Sequence, residues 1–279
     1  MDVEKEEIDY LRHGDKTYRA TIYRPRGAGP FPAVVEAHGG AWVGGERANN
    51  EPINRAVAAG GVVVAAIDFR NPPEATYPGS VADMNYAIRW LKAEAARFGT
   101  RPELVGAMGT SSGGHLAVLN GMKPRDPRYA ALATPGGHDA RVPYVVSLWP
   151  VICPLGRYRA HIEHPPEGLR PGRGGAAQLQ TQYWLTEEAM GEGSCLLALE
   201  RGDAVELPHI LYLQNPRDPL HPHPLLERFV AAYRERGGTV ETLLFEGDQY
   251  DLPRSNPTAP GARKIIERIV AFIHAEAGR

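Results

Sequence analysis

Residues 104–122 read LVGAMGTSSGGHLAVLNGM. A short apolar run, 104–108, stops at Gly109-Thr110-Ser111-Ser112-Gly113-Gly114, and the chain resumes as the helix-like HLAVLNGM. That order predicts a strand, a sharp turn and a helix. Gly109, Ser111 and Gly113 also satisfy G-x-S-x-G. The pattern alone is common by chance, and the strand before it and helix after it give it weight. Such a turn strains the serine backbone and lifts its hydroxyl above the sheet. Glycines two before and two after keep Cβ atoms out of the tight bend. The helix N-terminus behind Ser111 favours developing negative charge. Ser111 is therefore the candidate nucleophile.

Working outward, residues 31–37 (FPAVVEA) form another apolar run, which ends at His38-Gly39-Gly40-Ala41-Trp42. Glycines there leave backbone N–H groups unblocked and able to face an anionic oxygen. Residues 62–67 (VVVAAI) are wholly apolar, as a strand buried on both faces of a parallel sheet is. Further strands are predicted at 142–149, 208–213 and 239–245. Helices are predicted at 80–98, capped by Ser80, and at 223–236 and 260–275, with a weak helical pattern at 47–59. Residues 7–12 and 17–23 read as a hairpin around His13-Gly14-Asp15-Lys16. Strands alternating with helices give an α/β fold: a mostly parallel central sheet, helices on both faces, and an antiparallel edge from the hairpin.

Residues 152–206 break the alternation. They hold no convincing strand and are dense in Pro, Gly and Arg at 164–175, with helical character at 178–201. That is long for a connection. The reading is one domain over 1–279 with a lid inserted at about 152–206, in which Trp184, Leu185, Leu196 and Leu197 need a surface to pack on.

Composition limits the function. In 279 residues, 31 basic against 33 acidic side chains leave a formal charge of −2, with no sign of a basic face for nucleic acid. Hydrophobic residues make up 43%, enough for a large core. No apolar run approaches the roughly 18 residues that span a bilayer, so no membrane association is expected. The start, MDVEKEEIDY, is acidic and lacks the apolar core of a secretory signal, which points to the cytoplasm. Cys153 and Cys195 lack metal-type spacing and read as buried small hydrophobes. No ligand cluster or phosphate loop stands out, so neither metal nor organic cofactor is expected.

Three blocks in order, HGGAW at 38–42, DFRNPPEATYPGSVADM at 68–84 and GTSSGG at 109–114, resemble the α/β-hydrolase superfamily. Within it they are most similar to the hormone-sensitive-lipase-like esterases and the arylformamidase-type enzymes. The middle block supplies Asp68-Phe69-Arg70, Glu74, Pro78 and Asp83. The resemblance implies the α/β-hydrolase fold, Ser111 as nucleophile, and the N–H groups of Gly40, Ala41 and Ser112 as the oxyanion hole. The large N-terminal cap of the lipase-like branch has no counterpart before the first core strand, which shifts the lid role to 152–206.

A triad in this fold runs Ser, then Asp or Glu, then His. Asn215-Pro216-Arg217-Asp218-Pro219-Leu220 resembles the family's D-P-L segment, which makes Asp218 the acid. The family's histidine follows the last strand, but here the chain reads Glu246-Gly247-Asp248-Gln249-Tyr250-Asp251-Leu252. Tyr250 occupies the histidine's place, or Gln249 after a one-residue slip. A phenol titrates near roughly pH 10 against roughly 6.5 for an imidazole, so Tyr250 is a poor stand-in. His221 and His223, in DPLHPH, lie at the top of the sheet and could swing toward Ser111, although flanking prolines restrict them. His115 is expected to pack behind the nucleophile. His38 is expected to shape the loop, and His38 and Trp42 are candidates to touch substrate or, for His38, to serve as an alternative base.

Three functions fit these residues. The first is a serine hydrolase acting on a small-molecule ester, amide or lactone with an atypical triad. The second is a non-hydrolytic enzyme performing elimination, isomerisation or cyclisation, with the oxyanion hole and Tyr250 as its tools. The third is a binding protein that has lost catalysis. A homodimer paired through the last strand and helix is a further expectation from relatives.

Overall fold

The structure, a computed structural model, describes residues 1–164, 175–246, 253 and 256–278. Eight strands form one sheet in the order β1-β2-β4-β3-β5-β6-β7-β8. β1 (Val3–His13) and β2 (Lys16–Pro25) are the hairpin, longer than predicted, with an irregularity between Asp9 and Leu11. β2 joins the rest of the sheet by antiparallel pairing with β4 (Val63–Ile67). From there β3 (Ala33–Ala37), β5 (Val105–Thr110), β6 (Tyr144–Leu148), β7 (His209–Gln214) and β8 (Val240–Leu244) continue in parallel register. The inner strands β3, β4, β5 and β6 are buried at every position, which explains their mainly apolar runs.

Two apolar layers sandwich the sheet. Helices α1 (Glu51–Ala59) and α9 (Pro260–Ala277) cover one face, where Ile53, Val57, Ile265, Ile269 and Phe272 pack on Val34, Val64 and Val146. α2 (Gly79–Ala93), α3 (Ser112–Met122) and α8 (His223–Glu235) cover the other. α2 is shorter than the predicted 80–98, since a 3₁₀ turn at Ala95–Phe98 follows and Gly99 leaves it at φ 70°. Ser80 is not its cap. Pro78 holds that position, and the Ser80 hydroxyl donates to the Arg70 carbonyl at 2.6 Å.

Between β6 and β7 the described residues form four helices and no strand: α4 (Pro154–Glu163), α5 (Ala176–Trp184), α6 (Glu187–Glu192) and α7 (Cys195–Glu200). The stretch read as helical at 178–201 is thus three short helices. Thr186 and Ser194 interrupt it, their side chains accepting from the N–H of Ala189 and Leu197 at 3.1 and 3.2 Å as N-caps. Nearly all of the Pro/Gly/Arg-rich stretch at 164–175 lies outside the described residues. Both cysteines are buried and free.

Candidate active site

The parallel strands deliver three loops to their carboxyl ends, where open α/β sheets place their sites. Ser111 leaves β5 at φ 53°, ψ −116°, in the left-handed half of backbone space. A side-chain-bearing residue held there costs of the order of 1–3 kcal/mol. The turn is fixed from both sides: Ser111 N–H donates to the Leu148 carbonyl at 2.9 Å, and the Ser111 carbonyl accepts from His115 and Val151 at 3.0 and 3.1 Å. Gly113 is required by contact. A Cβ there would lie 2.0 Å from the Ala37 carbonyl oxygen and 2.4 Å from that of His38. The first turn of α3 therefore packs directly on the end of β3, which brings the elbow and the 38–42 loop together.

That loop is also strained. Gly40, Ala41 and Trp42 take φ of 132°, 53° and 60° in succession. At Gly40 a Cβ would fall 2.0 Å from the Gly44 carbonyl oxygen, so only glycine fits. The Gly40 carbonyl accepts from Val43 and Gly44, and the reversal leaves the Gly40 and Ala41 N–H groups outside every backbone hydrogen bond among the described residues. Ser112 is the first residue of α3, whose N–H has no acceptor within the helix. His38 does shape the loop: it is buried, donates from Nδ1 to the Gly39 carbonyl at 2.7 Å and stacks on Phe69 at 4.3 Å. Burial holds its imidazole below the usual range, with the Gly39 bond opposing.

The third loop follows β7. Asp218 is buried there, and its Oδ1 accepts from Leu220 N–H at 2.8 Å. Its Oδ2 lies 2.5 Å from His221 Nδ1, and His221 Nε2 lies 3.0 Å from Ser111 Oγ. A carboxylate only accepts, so Nδ1 carries the proton and Nε2 is left to accept from the serine hydroxyl. The Gln214 side-chain amide donates to the His221 carbonyl at 2.7 Å and fixes the loop further. His221 is buried, and burial is the largest influence on it. The imidazole is held below its usual range even though the Asp218 carboxylate pulls the other way.

The sequence leaves Tyr250, Gln249 or a histidine of the 218–223 loop as the base. Tyr250 and Gln249 lie outside the described residues; among those described, the side chain bonded to Ser111 is His221, the less favoured alternative. The flanking prolines do not prevent this. Pro219 and Pro222 bracket a turn in which residues three apart present carboxylate and ring to each other. His223 instead opens α8 and lies 3.7 Å from Glu227.

The remaining motif residues hold the frame. Arg70 and the fully buried Asp83 pair at 2.7 Å, and Asp68 accepts from the backbone and guanidinium of Arg47 at 2.9 and 2.6 Å. Glu74 accepts from Lys16 and Tyr18. His115 sits behind the nucleophile, as expected. Its Nε2 donates to the Gly193 carbonyl at 2.8 Å, and burial keeps the ring neutral down to about 4.

Two groups take positions that the sequence reading did not assign them. Glu36, in the middle of an apolar strand, is buried and accepts from Asn50 and Asn54 at 2.7 and 3.0 Å. Asn50 also donates to Thr110 at 2.9 Å, which links the strands that carry the two loops. A charge in a run otherwise buried on both faces was the available signal. Arg157 and Trp184, beside Trp42, had no such signal. Among the described residues no cluster of three His, Cys, Asp or Glu could hold a metal ion, and no helix is long and apolar enough to cross a membrane.

A family model described as BD-FAE matches residues 21–152. The chain is 35% identical over 142 residues to "Esterase LipC" of Mycobacterium tuberculosis, covering 50% of this chain and 34% of that protein. It is 26% identical over 275 residues to a "Probable isoprenylcysteine alpha-carbonyl methylesterase ICME" of Oryza sativa subsp. japonica, covering 92% of this chain and 61% of that one. The chain thus spans less than two thirds of the length of these curated relatives. Among solved structures, a hyperthermophilic esterase from the archaeon Pyrobaculum calidifontis superposes with a TM-score of 0.76 over 99% of this chain and 86% of its own, at 24% identity.

Proposed function

We propose that the chain is an α/β-hydrolase-fold esterase akin to the hormone-sensitive-lipase-like esterases that its motifs resemble, and that it hydrolyses a carboxylic ester of a small molecule through Ser111, His221 and Asp218. One observation carries the reading: the 3.0 Å contact between Ser111 Oγ and the acceptor nitrogen of a buried imidazole whose other nitrogen faces Asp218.

His221 Nε2 takes the hydroxyl proton as Ser111 Oγ bonds to the ester carbonyl carbon. The carbonyl π pair moves onto oxygen, to which the N–H groups of Gly40, Ala41 and Ser112 donate as the charge develops. One such donor is worth about 2.7–4 kcal/mol in the transition state. Asp218 holds the ring in the right tautomer and stabilises the imidazolium. Collapse of the tetrahedral species expels the alkoxide, which takes the proton from Nε2 and leaves as alcohol. Water, deprotonated by the same nitrogen, then attacks the acyl-serine carbon; the C–Oγ bond breaks, Ser111 Oγ takes the proton back from Nε2, and the carboxylic acid is released.

Non-hydrolytic chemistry entered as a way to use a serine without an imidazole. With His221 bonded to Ser111, that motive is gone. The test is labelling by a fluorophosphonate, which reports an activated serine. We expect one adduct, on Ser111, formed quickly in the native enzyme and slowly in His221→Gln. An unlabelled Ser111, or labelling indifferent to His221→Gln, would overturn the assignment.

A further inference from the structure

Ala41 and Trp42 carry side chains that disfavour the positive φ they adopt, so the oxyanion loop keeps its course only where its surroundings impose it. The surroundings are four side chains around the Trp42 indole, which is buried to 1% exposure. His115 of α3 stands edge-on at 5.2 Å. Trp184 stands edge-on from another side, also at 5.2 Å, and Tyr183 lies parallel at 5.8 Å with 9° between planes. The Arg157 guanidinium covers the ring at 5.4 Å. Three of the four therefore come from the helices between β6 and β7.

Each of those three is anchored in turn, Tyr183 through its carbonyl, which accepts from Tyr77 N–H at 3.0 Å. Trp184 stacks on Tyr77 at 4.6 Å. Gln180 accepts from Nε and Nη2 of Arg157 at 2.9 and 2.6 Å and donates to the Pro154 carbonyl at 2.7 Å, which ties α5 to α4. The Gly193 carbonyl, between α6 and α7, receives the His115 bond, so the nucleophile helix is joined to the same assembly.

We propose that the helical insert is a brace for the oxyanion loop, with Trp184 and Tyr183 as positioning residues that clamp Trp42 and so keep the neighbouring Gly40 and Ala41 N–H groups aimed at the developing oxyanion. This goes beyond the role of a lid, because the insert contributes to rate through Trp42 without touching substrate. It rests on the reading of Gly40 and Ala41 as oxyanion donors.

The split between kcat and KM tests it. A loosened loop loses donors that matter most to the tetrahedral species, so the effect falls on kcat. For Trp184→Ala we expect kcat on p-nitrophenyl acetate to drop roughly tenfold to a hundredfold, with KM within about threefold. Affinity for a trifluoromethyl ketone, whose serine adduct bears the same oxyanion, should fall in parallel, and Trp184→Phe should restore most of both. Leu199→Ala removes a buried side chain of α7 that makes none of these ring contacts. It should lower Tm and leave kcat within about threefold. A folded Trp184→Ala enzyme with native kcat and inhibitor affinity overturns the brace, as does an equal kcat loss in Leu199→Ala. Should Trp184→Ala not fold, Tyr183→Leu is judged by the same two readouts. Ser111→Ala run alongside separates the two levels: retained hydrolysis overturns Ser111 as the nucleophile and the brace with it, whereas lost hydrolysis with an unaffected Trp184→Ala overturns the brace alone.

Discussion

The two halves of the site are built on different principles. The elbow and the 38–42 loop are products of local sterics and backbone bonding: Gly113 and Gly40 stand where a Cβ would meet backbone at 2.0 Å, and Ser111 is held at a φ of 53° by hydrogen bonds on both sides of the turn. The Asp218–His221 loop has no comparable constraint. It is defined by reach, and the carboxyl end of β7 lies two ladder spacings from β5, about 10 Å. A side chain three residues beyond Asp218 closes that gap to 3.0 Å. Steric requirements leave a fixed signature in the chain, whereas a reaching side chain leaves only its identity.

Substitutions can break this comparison in order of effect. Ser111→Ala should lower kcat/KM on a p-nitrophenyl ester by at least about 10³-fold, since what remains is binding and the oxyanion donors. His221→Gln should cost about 10²–10⁴-fold, the range of a general base. In the same assay Tyr250→Phe should stay within about threefold; a large loss there with a mild His221→Gln would return the base to the chain after β8 and dissolve the distinction drawn here. Gly113→Ala probes the steric half. Its methyl group would meet the Ala37 carbonyl, and thermal unfolding should show a loss of about 1–3 kcal/mol, typical of overpacking, together with lost activity.

The smallest effect is the position of the acid limb of the pH profile. His221 must be neutral to accept the Ser111 proton, so activity rises as the imidazole deprotonates. Burial depresses that titration against the pull of Asp218. The acid limb of kcat/KM should therefore have its midpoint below the ordinary imidazole value of 6.5. Asp218→Asn removes the opposing influence and should move the midpoint lower still while reducing the plateau. A midpoint well above 6.5 would mean that some other group controls the reaction.

The order of legibility follows from the same contrast. The inner parallel strands were visible as short, mainly apolar runs, because strands buried on both faces carry few polar residues, Glu36 of β3 being the exception that marks a network. Ser111 and the glycines around it were visible for the steric reason above. Asp218 needed the resemblance, and His221 needed coordinates. Pro219 and Pro222 suggested a loop too stiff to bend, but they instead shape the turn that sets ring against carboxylate. The three short helices of 176–200 were blurred into one because Thr186 and Ser194 can sit inside a helix as easily as cap one. The Trp42 cluster was invisible in principle, since it unites residues 42, 115, 157, 183 and 184 from four separate elements.

Acid and base here hang from one short peptide, three positions apart. They travel as a unit: any excursion of that peptide withdraws the proton acceptor and its counter-charge in a single movement, and the serine reverts to an ordinary alcohol. On the proposed mechanism, turnover thus answers to one conformational equilibrium of that peptide, where a base on a separate strand would answer to two.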